Sequence, residues 1–280
     1  MKVADALGRA QKAMTEIEGA ARDARWLLAS AMGVKRDRLT LMAEDDVPRD
    51  ALDKFRAMVT KRIARVPVAH LIGEREFYGR TFFASADALD PRPETEIVIR
   101  AAMEDPFERV LDLGTGSGVI LMTLLAEQPK ATGLCTDVSI AALALTEKNA
   151  RKAGVVKRAQ VIRSNWFEAV TGEFDLIVSN PPYIPAAEMA SLAPELSYEP
   201  EIALTDGADG LSAYRAIFAG AQKHLAPGGR IVVEFGAGQG EHVQSIARAH
   251  GWVDTSFRAD LDNRDRVLIA KKAEGSRIST

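Results

Sequence analysis

The spacing of apolar residues changes once along the chain and separates a first, helical region from the remainder. Up to about residue 70, apolar residues recur at the three- and four-residue intervals of amphipathic helices. One stripe ends at Gly33, and a second run, 49–66, lies between Pro48 and Pro67, since proline suits a first helical turn but does not continue a helix. The apolar positions are Ala21, Trp26, Leu27, Leu28 and Met32 in the first stripe, and Leu52, Phe55, Met58, Val59 and Ile63 in the second. This pattern predicts a small helical bundle.

Beyond residue 74 the pattern becomes that of short strands alternating with helices. Segments 76–78 and 81–84 flank Gly79-Arg80 and predict a hairpin, which is followed by a loop at 91–96 and a helix containing Ile97, Val98 and Ile99. The predicted strands are 110–113, 131–136, 160–163, 176–179, 231–235, 253–258 and 267–270, and the helices between them are 119–127, 140–152, 211–225 and 241–250. Alternation of this kind predicts a mainly parallel sheet covered on both faces. A short loop joins the last two strands, so at least one of them should be antiparallel.

Composition excludes several classes of protein. The 280 residues are 47% hydrophobic and 27% charged, which is typical of a globular protein of about two domains. A net charge of −3 gives no general attraction for nucleic acid. The single cysteine, Cys135, excludes an internal disulfide and is expected to fill space in a buried strand. The four histidines lack metal-ligand spacing, so no metal is expected, and the absence of a signal peptide or a long apolar run predicts a cytoplasmic protein.

A glycine-rich loop follows the first strand of the alternating region. Gly114, Thr115, Gly116, Ser117 and Gly118 lead from an apolar strand into a helix, and glycines allow a sharp turn and a close approach to a ligand. Asp137 ends the next strand, where a carboxylate can accept the two hydroxyls of a ribose. Dinucleotide loops have the spacing G-x-G-x-x-G, whereas this one is G-x-G-x-G and is preceded by Asp112, which can meet an ammonium group. The spacing favours S-adenosylmethionine, although a tight strand-to-helix turn alone also requires glycine.

The tetrapeptide Asn180-Pro181-Pro182-Tyr183 follows the strand at 176–179. In an open parallel sheet it emerges at the same edge as the glycine loop. An amide or aromatic-amine nitrogen is a poor nucleophile, but the Asn180 side-chain oxygen and the Pro181 carbonyl can accept its two N–H groups and orient the lone pair. Pro182 offers no competing N–H, and Tyr183 can pack over a planar group. The tetrapeptide therefore predicts methyl transfer to a planar nitrogen, by positioning and without a covalent intermediate.

Several motifs, in order along nearly the whole chain, resemble the HemK/PrmC family of release factor glutamine methyltransferases. They are 70–74 (HLIGE), 92–96 (RPETE), 112–118, 164–167 (SNWF), 179–183, 198–200 (YEP) and the segment 262–267. The tetrapeptide at 180–183 alone is shared with enzymes that methylate adenine or guanine amino groups. The helical first region, HLIGE and RPETE are much more specific to the HemK/PrmC family.

The resemblance implies an α/β fold: a seven-stranded Rossmann-like class I methyltransferase domain dependent on S-adenosylmethionine, preceded by a small helical bundle. It implies a substrate-docking domain at 1–72, a hairpin linker at 73–90 and a catalytic domain at 91–280. The activity implied is N5 methylation of the glutamine in the Gly-Gly-Gln motif of class-1 peptide-chain release factors, by a monomer that contacts neither membrane nor nucleic acid. Cofactor contacts are expected from residues 114–118, Asp137, Trp166 beside the adenine, and Asn180, and substrate contacts from residues 180–183, with Asn180, Pro181 and Tyr183 catalytic.

Two positions depart from the family pattern, and others have simpler interpretations. Asn165 replaces an aspartate, so an adenine amino contact there would use an amide oxygen, and Asp90 stands where relatives have an apolar residue. Glu94 and Glu96 can simply begin the following helix, where negative charge suits the helix dipole. Trp166 can be ordinary core. The basic run of Lys61, Arg62 and Arg65 is typical of a solvated helix face, although it can also meet an acidic partner.

Two other functions remain open at this stage. An enzyme that methylates an exocyclic base nitrogen in DNA or RNA would use the same tetrapeptide on a flipped base, but it would need a basic track for phosphates, and the chain has no long Lys/Arg-rich stretch. A non-catalytic adaptor could hold a translation factor with the first helices, although it would need neither the glycine loop nor the tetrapeptide.

Overall fold

The computed structural model describes residues 1–260 and 262–271, and the chain divides into two compact units. The first comprises Met1–Glu74 with Ala193–Tyr198, and the second comprises Arg75–Leu192 with Glu199–Thr280. Inclusion of residues 193–198 in the first unit was not predicted, since the sequence boundaries 1–72, 73–90 and 91–280 assume one uninterrupted catalytic segment. The end of that segment, 272–280, lies outside the described residues.

The first unit is a bundle of helices around an apolar core, as predicted. The helix from residue 49 ends at Ile63 rather than 66, because Arg65 adopts a left-handed conformation with φ 71°. Its N-cap is Pro48, so the proline precedes the first turn. Gly33 ends the second helix with φ 66°. The helices are α1 (Val3–Ala13), α2 (Ala20–Met32), α3 (Arg38–Leu41), α4 (Arg49–Ile63) and α5 (Val68–Ile72), and a 3₁₀ turn, Pro194–Tyr198, belongs to the same unit.

In the basic run, Arg62 at the end of α4 and Arg65 just beyond it form ion pairs, whereas Lys61 is exposed. Arg62 is buried; its Nε lies 2.9 Å from Asp23 Oδ2 on α2, and its Nη1 lies 2.9 Å from Glu195 Oε1. Arg65 also approaches Glu195, at 3.4 Å. The Tyr198 hydroxyl donates to the Ala64 carbonyl at 2.7 Å. The acidic partner of the basic run is therefore in the same chain, and these bonds hold residues 193–198 within the first unit.

The hairpin consists of β1 (Glu74–Phe77) and β2 (Arg80–Phe83). Its turn is Tyr78-Gly79, one residue earlier than predicted, and both residues have positive φ (49° and 69°), as in the tight turns that match strand twist. Phe77 and Phe82 are buried in the core of the second unit. The segment predicted as a linker is therefore largely a packed part of that unit.

The second unit contains the predicted seven-stranded sheet, in the order β5-β4-β3-β6-β7-β9-β8. Neighbouring strands from β5 to β7 are parallel, whereas β9 is antiparallel to both β7 and β8, which confirms the prediction for the last two strands. The strands are β3 (Arg109–Leu113), β4 (Thr132–Asp137), β5 (Ala159–Arg163), β6 (Phe174–Ser179), β7 (Leu225–Glu234), β8 (Asp254–Ala259) and β9 (Asp265–Lys271).

Helices cover both faces of the sheet over two apolar cores, one with α6, α7 and α8 and one with α10 and α11. Cys135 is fully buried in β4. The predicted helix 211–225 ends early, at Ala221, and β7 begins at Leu225, where Leu225 pairs with Phe174 before a bulge. The helices are α6 (Glu96–Ala102), α7 (Val119–Glu127), α8 (Ile140–Lys152), α9 (Glu201–Leu204), α10 (Ser212–Ala221) and α11 (Gly240–Ala249), with 3₁₀ turns at Pro93–Thr95, Ala186–Ser191 and Gln222–His224.

The direction in which strands are added reverses between β3 and β6. From β3 the chain adds β4 and β5 on one side, whereas β6 and β7 lie on the other. At such a switch point the loops beyond the carboxyl ends of the strands separate and leave a crevice for ligands. The glycine loop follows β3 and Asn180 follows β6, so both border that crevice. The Ser179 hydroxyl donates to the Leu113 carbonyl at 2.7 Å and joins the two strand ends.

Candidate active site

A cavity of about 400 Å³ opens at the carboxyl ends of β3, β4 and β6. It is large enough for a cofactor, since small-molecule sites measure roughly 300–1,000 Å³. Eight of the site residues predicted from sequence line it: Gly114, Thr115, Gly116, Ser117, Asp137, Trp166, Asn180 and Pro182. The other three, Gly118, Pro181 and Tyr183, are not among the lining residues.

The glycine loop adopts a backbone that other residues avoid. Gly114, Gly116 and Gly118 have φ of 65°, 56° and 80°. A Cβ added to Gly118 would stand 2.8 Å from Thr146 Cγ2 on α8, so this glycine also permits close packing of loop and helix. A Cβ on Gly114 would stand 3.8 Å from the Trp166 ring, in the space between loop and ring.

Two side chains of α8, which the sequence did not single out, fix the loop from behind. The Thr146 hydroxyl donates to the Gly116 carbonyl at 2.8 Å, and Asn149 Nδ2 donates to the Ser117 carbonyl at 2.9 Å. Asn149 also exchanges hydrogen bonds with both backbone groups of Phe83 on β2. Their polar side chains interrupt the apolar face of α8, and that interruption is the signal in the sequence that could have identified them.

Asp137 is held in place at the end of β4. Its Oδ2 accepts the Gly116 N–H at 2.9 Å and its Oδ1 accepts the Ser139 N–H at 2.9 Å. Each carboxylate oxygen can accept a further hydrogen bond, and the residue lines the cavity. The geometry therefore presents a fixed anionic acceptor to a ligand.

Asp112 lies behind the loop rather than in the cavity wall. It is fully buried, and its Oδ2 accepts the Thr115 hydroxyl at 2.6 Å. Burial raises the pKa of this carboxyl to about 7. Its Oδ1 is a buried acceptor with no hydrogen-bond partner among the residues that the structure describes. Direct contact of Asp112 with an ammonium group remains a prediction.

Trp166 borders the cavity in an unusual backbone conformation, with φ 48°. Positive φ is rare for a bulky residue and is found where surrounding contacts impose it. Here Ser164 imposes it, because its hydroxyl donates to the Trp166 carbonyl at 2.9 Å and accepts the Ala169 N–H at 3.0 Å. Half-buried Trp166 is therefore not simply core. Asn165 Nδ2 donates to Glu168 at 2.9 Å, which leaves its amide oxygen as the group available to a ligand.

Asn180 begins the loop after β6 and shares the cavity wall with Thr95. Its Nδ2 donates to the Thr95 hydroxyl at 3.1 Å. Its Oδ1 is buried and has no partner within residues 1–260 and 262–271. A buried acceptor without a donor is costly, so this oxygen suits a ligand N–H. Thr95 is the buried residue of the RPETE segment, and its role was not predicted from the sequence, where the glutamates on either side carry the more obvious chemistry.

The rest of the tetrapeptide is anchored to the loop after β7. The Tyr183 carbonyl accepts Gln239 Nε2 at 2.8 Å, and Gln239 Oε1 accepts the Gly236 N–H at 2.9 Å. Burial raises the pKa of the Tyr183 hydroxyl to about 12. Tyr183 therefore stays neutral, and its ring packs closely on Gly236, where an added Cβ would stand 3.1 Å away.

The charged residues around RPETE have structural partners. Glu96 accepts the Tyr78 N–H at 3.0 Å, so it connects the first turn of α6 to the hairpin. Arg92 donates to both oxygens of buried Glu199, at 2.7 and 2.8 Å. Neither Glu94 nor Glu96 lines the cavity.

Asp90, which departs from the family pattern, is accommodated by an ion pair. Its Oδ2 lies 3.6 Å from Arg75 Nη1, and Arg75 Nε donates to the Pro91 carbonyl at 3.2 Å. The buried carboxylate is thereby compensated, and the same arginine holds the start of the RPETE loop.

Comparison with known proteins identifies the family. Residues 5–73 match the PrmC N-terminal domain and residues 81–207 the Methyltransferase small domain. The release factor glutamine methyltransferase of Cereibacter sphaeroides is 52% identical over 97% of this chain and 99% of that protein. The chain belongs to the release factor glutamine methyltransferase family. The protein of that name from Rhodospirillum rubrum is 40% identical over 91% of this chain and 80% of its own length.

A solved structure supports the fold of this methyltransferase. A methyltransferase from Pyrococcus furiosus superimposes with a TM-score of 0.55 at 16% identity, over 76% of this chain and 98% of that one. Throughout residues 1–260 and 262–271, no three His, Cys, Asp or Glu side chains form a group that could hold a metal ion. None of the helices in the described part of the chain has the length and apolar character needed to cross a bilayer.

The cavity of this methyltransferase fits S-adenosylmethionine. That molecule combines an amino acid, a ribose and an adenine ring, and it requires backbone donors, an anionic acceptor and a flat apolar surface respectively. The cavity wall brings together the backbone of the glycine loop, the Asp137 carboxylate and the Trp166 ring. The unpartnered Oδ1 of Asp112 behind the loop adds a second acidic acceptor near the glycines.

Proposed function

We propose that the protein transfers a methyl group from S-adenosylmethionine to the side-chain nitrogen N5 of the glutamine in the Gly-Gly-Gln motif of class-1 peptide-chain release factors. The observation that carries the proposal is the buried, unpartnered Oδ1 of Asn180 at the cavity wall. A primary amide supplies the N–H that this acceptor lacks. Because the chain belongs to the release factor glutamine methyltransferase family, we take that amide to be the one of the release factor glutamine.

Separate residues serve the two substrates in this proposal. Residues 114–118 and Trp166 surround the donor, and Asp137 accepts its ribose hydroxyls, with Asn180 adjoining both substrates. When bound, S-adenosylmethionine would supply a sulfonium methyl group. Its S–C bond would break as the N–C bond forms, S-adenosylhomocysteine would leave, and the nitrogen would lose one proton to water.

Asn180 Oδ1 and the Pro181 carbonyl accept the two N–H groups of the glutamine amide and orient its lone pair. Pro182 keeps this backbone stiff and offers no competing N–H. Tyr183, which remains neutral, packs against the amide plane. Catalysis then consists of orientation and a fixed polar environment, with no charged nucleophile on the enzyme.

The remaining proposals concern context. The helical unit docks the release factor, and the protein acts as a monomer in the cytoplasm, where release factors work. We expect no direct contact with nucleic acid. Light scattering of the purified chain tests the monomeric state, and a release factor pull-down with the first unit tests docking.

The decisive experiment follows a labelled methyl group. The protein is incubated with labelled S-adenosylmethionine and a purified class-1 release factor, and the label is located by mass spectrometry. Label on the Gly-Gly-Gln glutamine is expected, and its loss is expected when that glutamine is changed to glutamate, which has no amide nitrogen.

Other outcomes identify the alternatives. Salt-sensitive methylation of DNA or RNA, with none of the release factor, would indicate a base methyltransferase. Binding of the donor and the factor without transfer to any substrate would indicate an adaptor. Either result would overturn the proposal.

A further inference from the structure

A buried carboxylate outside the predicted site lies next to Asn180. Glu234 is the last residue of β7 and is only 2% exposed. The parallel register pairs Ser179 with Val233, so Asn180 and Glu234 follow paired residues at the same edge of the sheet. Glu234 does not line the cavity, and its Oε2 has no hydrogen-bond partner in the described part of the chain.

Two side chains of the cavity wall interact with this carboxylate. Burial raises the pKa of this carboxyl, and the neighbouring Thr95 hydroxyl and Asn180 amide oppose the rise by favouring the charged form. Arg266 favours the charge and Glu94 disfavours it. The Glu234 backbone is held by contacts that do not involve its side chain. Its carbonyl accepts a hydrogen bond from the Tyr214 hydroxyl at 2.8 Å, and the residue pairs with Val267 of β9.

A side-chain amide can take two orientations of nearly the same shape, which exchange its oxygen and nitrogen. Only one of them leaves the Asn180 oxygen for a substrate N–H. Thr95 cannot choose between them by itself, because a hydroxyl both donates and accepts. Above its pKa of about 7, Glu234 is a carboxylate that only accepts, so its neighbours must donate to it. The carboxylate therefore attracts the Asn180 NH₂ group. It also favours the orientation in which the Thr95 hydroxyl donates toward Glu234, so that the hydroxyl oxygen accepts a hydrogen bond from Asn180 Nδ2.

We infer that Glu234 is a positioning residue, which fixes the Asn180 amide with its nitrogen toward Thr95 and Glu234 and its oxygen free for the substrate amide. This inference rests on the proposed function, since it assigns Asn180 Oδ1 to the glutamine N–H. It extends the site to a residue that contacts neither donor nor substrate.

The first test is Glu234→Gln, which keeps the shape but adds a donor, so that either orientation of Asn180 becomes possible. We expect kcat to fall about tenfold, the effect of one misdirected hydrogen bond to a buried group. At about pH 8, where Glu234 is charged in the wild type, donor affinity by calorimetry should stay near the wild-type value, and circular dichroism should show that the variant is folded. Glu241→Gln, at an exposed carboxylate in the first turn of α11, is the matched control and should leave kcat unchanged.

The second test exchanges donor and acceptor between the two positions. Asn180→Asp places a carboxylate beside Glu234 and should reduce kcat at least as much as Asn180→Ala. Adding Glu234→Gln restores a hydrogen bond between the two positions, because the new glutamine amide can donate to the aspartate at position 180. The second oxygen of that aspartate then remains for the substrate N–H. The double variant should therefore be at least about fivefold faster than Asn180→Asp alone, a coupling that a purely structural role would not produce.

The outcomes separate the inference from the proposed function. If the wild type fails to methylate release factor, or Asn180→Ala keeps full kcat, the proposed function or the role of Asn180 is wrong. If Asn180→Ala loses activity but Glu234→Gln alone has wild-type kcat, the positioning role is overturned. It is also overturned if Glu234→Gln changes kcat by the same factor in the wild type and in Asn180→Asp. Loss of donor affinity or fold in Glu234→Gln would likewise contradict it.

Discussion

At the scale of single residues, two fixed acceptors define the site, Asp137 for the donor and Asn180 for the substrate. Both belong to loops that directly follow strands, and both are oriented by neighbours: Asp137 by two backbone N–H groups and Asn180 by Thr95. Preorganised acceptors do not have to reorganise when charge develops, which is the physical basis of catalysis by positioning.

We expect Asp137→Ala to weaken donor binding tenfold or more. A hydrogen bond to a charged group contributes roughly 1.5–3 kcal/mol, and the variant loses the proposed ribose bonds together with its bond to Gly116. Calorimetry with S-adenosylmethionine measures the effect. The matched control is Asp175→Ala, because Asp175 also accepts two backbone N–H groups, from Glu108 and Arg109, but at the opposite end of β6. Equal affinity in both variants would remove Asp137 from the donor site.

Asn180→Ala should act mainly on kcat. The bond from the amide to Oδ1 strengthens as the nitrogen becomes positive during transfer, so its removal affects the transition state more than the ground state. Deleting one preorganised contact of this kind reduces the rate by about a hundredfold or more. Single-turnover methylation of a release factor gives the rate, and donor affinity measured alongside should change little. A normal rate in the folded variant would contradict the proposed contact.

At the scale of elements, the helical unit depends on a buried ion pair between α2 and α4. Asp23 and Arg62 side chains are 2% and 7% exposed, and their atoms lie 2.9 Å apart. Removing Asp23 leaves the buried Nε of Arg62 without its acceptor, although Glu195 still pairs with Nη1, so the cost should be about 1–3 kcal/mol. We therefore expect Asp23→Ala to accelerate hydrogen exchange of α2 and α4 strongly, as followed by peptide mass spectrometry. Asp53→Ala, which removes an exposed partner of Arg56, should leave exchange almost unchanged.

Local sequence predicts the elements well where their ends carry chemical signals. Helices α7 and α8 begin and end as predicted, since Gly118 ends the loop before α7 and the Ser139 hydroxyl accepts the Ala142 N–H at the start of α8. The predicted start of β7, residue 231, lies six residues after its observed start at Leu225. Pro227, Gly228 and Gly229 indicate a turn in the sequence, but the strand pairs with β6 on both sides of a bulge. A bulge depends on the partner strand, which local patterns do not reveal.

Long-range partners explain what the sequence could not provide at the site. The glycine loop, Asp137 and the tetrapeptide are contiguous motifs with recognisable chemistry. Glu234 acquires its position beside Asn180 only through the register of β6 and β7. Glu195 pairs with Arg62 across 133 residues of sequence, and no local feature marks residues 193–198 as part of the first unit.

At the scale of the whole molecule, the two units should separate substrate docking from chemistry. We expect a protein lacking residues 1–74 to bind S-adenosylmethionine normally and to methylate a short Gly-Gly-Gln peptide, but to lose nearly all activity on a folded release factor. The reason is that the cavity lining comes entirely from the second unit. Full activity of the truncated, folded protein on the intact factor would rule out a docking role for the helices.

The stability of the second unit should decrease with pH because of its buried carboxyls. Burial raises the pKa of Glu234 and of Asp112 to about 7, so between roughly pH 4.5 and 7 the folded state binds more protons than the unfolded chain. Stabilisation from these protons is complete below the unfolded pKa and is lost as pH rises through the folded pKa, with a limiting slope of about 1.4 kcal/mol per pH unit for each carboxyl.

Glu234→Gln isolates one of these two contributions. All other groups titrate alike in both proteins, so the stability of the variant relative to wild type should rise between about pH 4.5 and 7 and become constant above that, as the linkage relation requires. Urea unfolding at several pH values measures it, with Trp26→Phe in both proteins so that fluorescence reports Trp166 and Trp252 of the second unit. A flat difference for Glu234→Gln would contradict a raised pKa for this buried carboxyl.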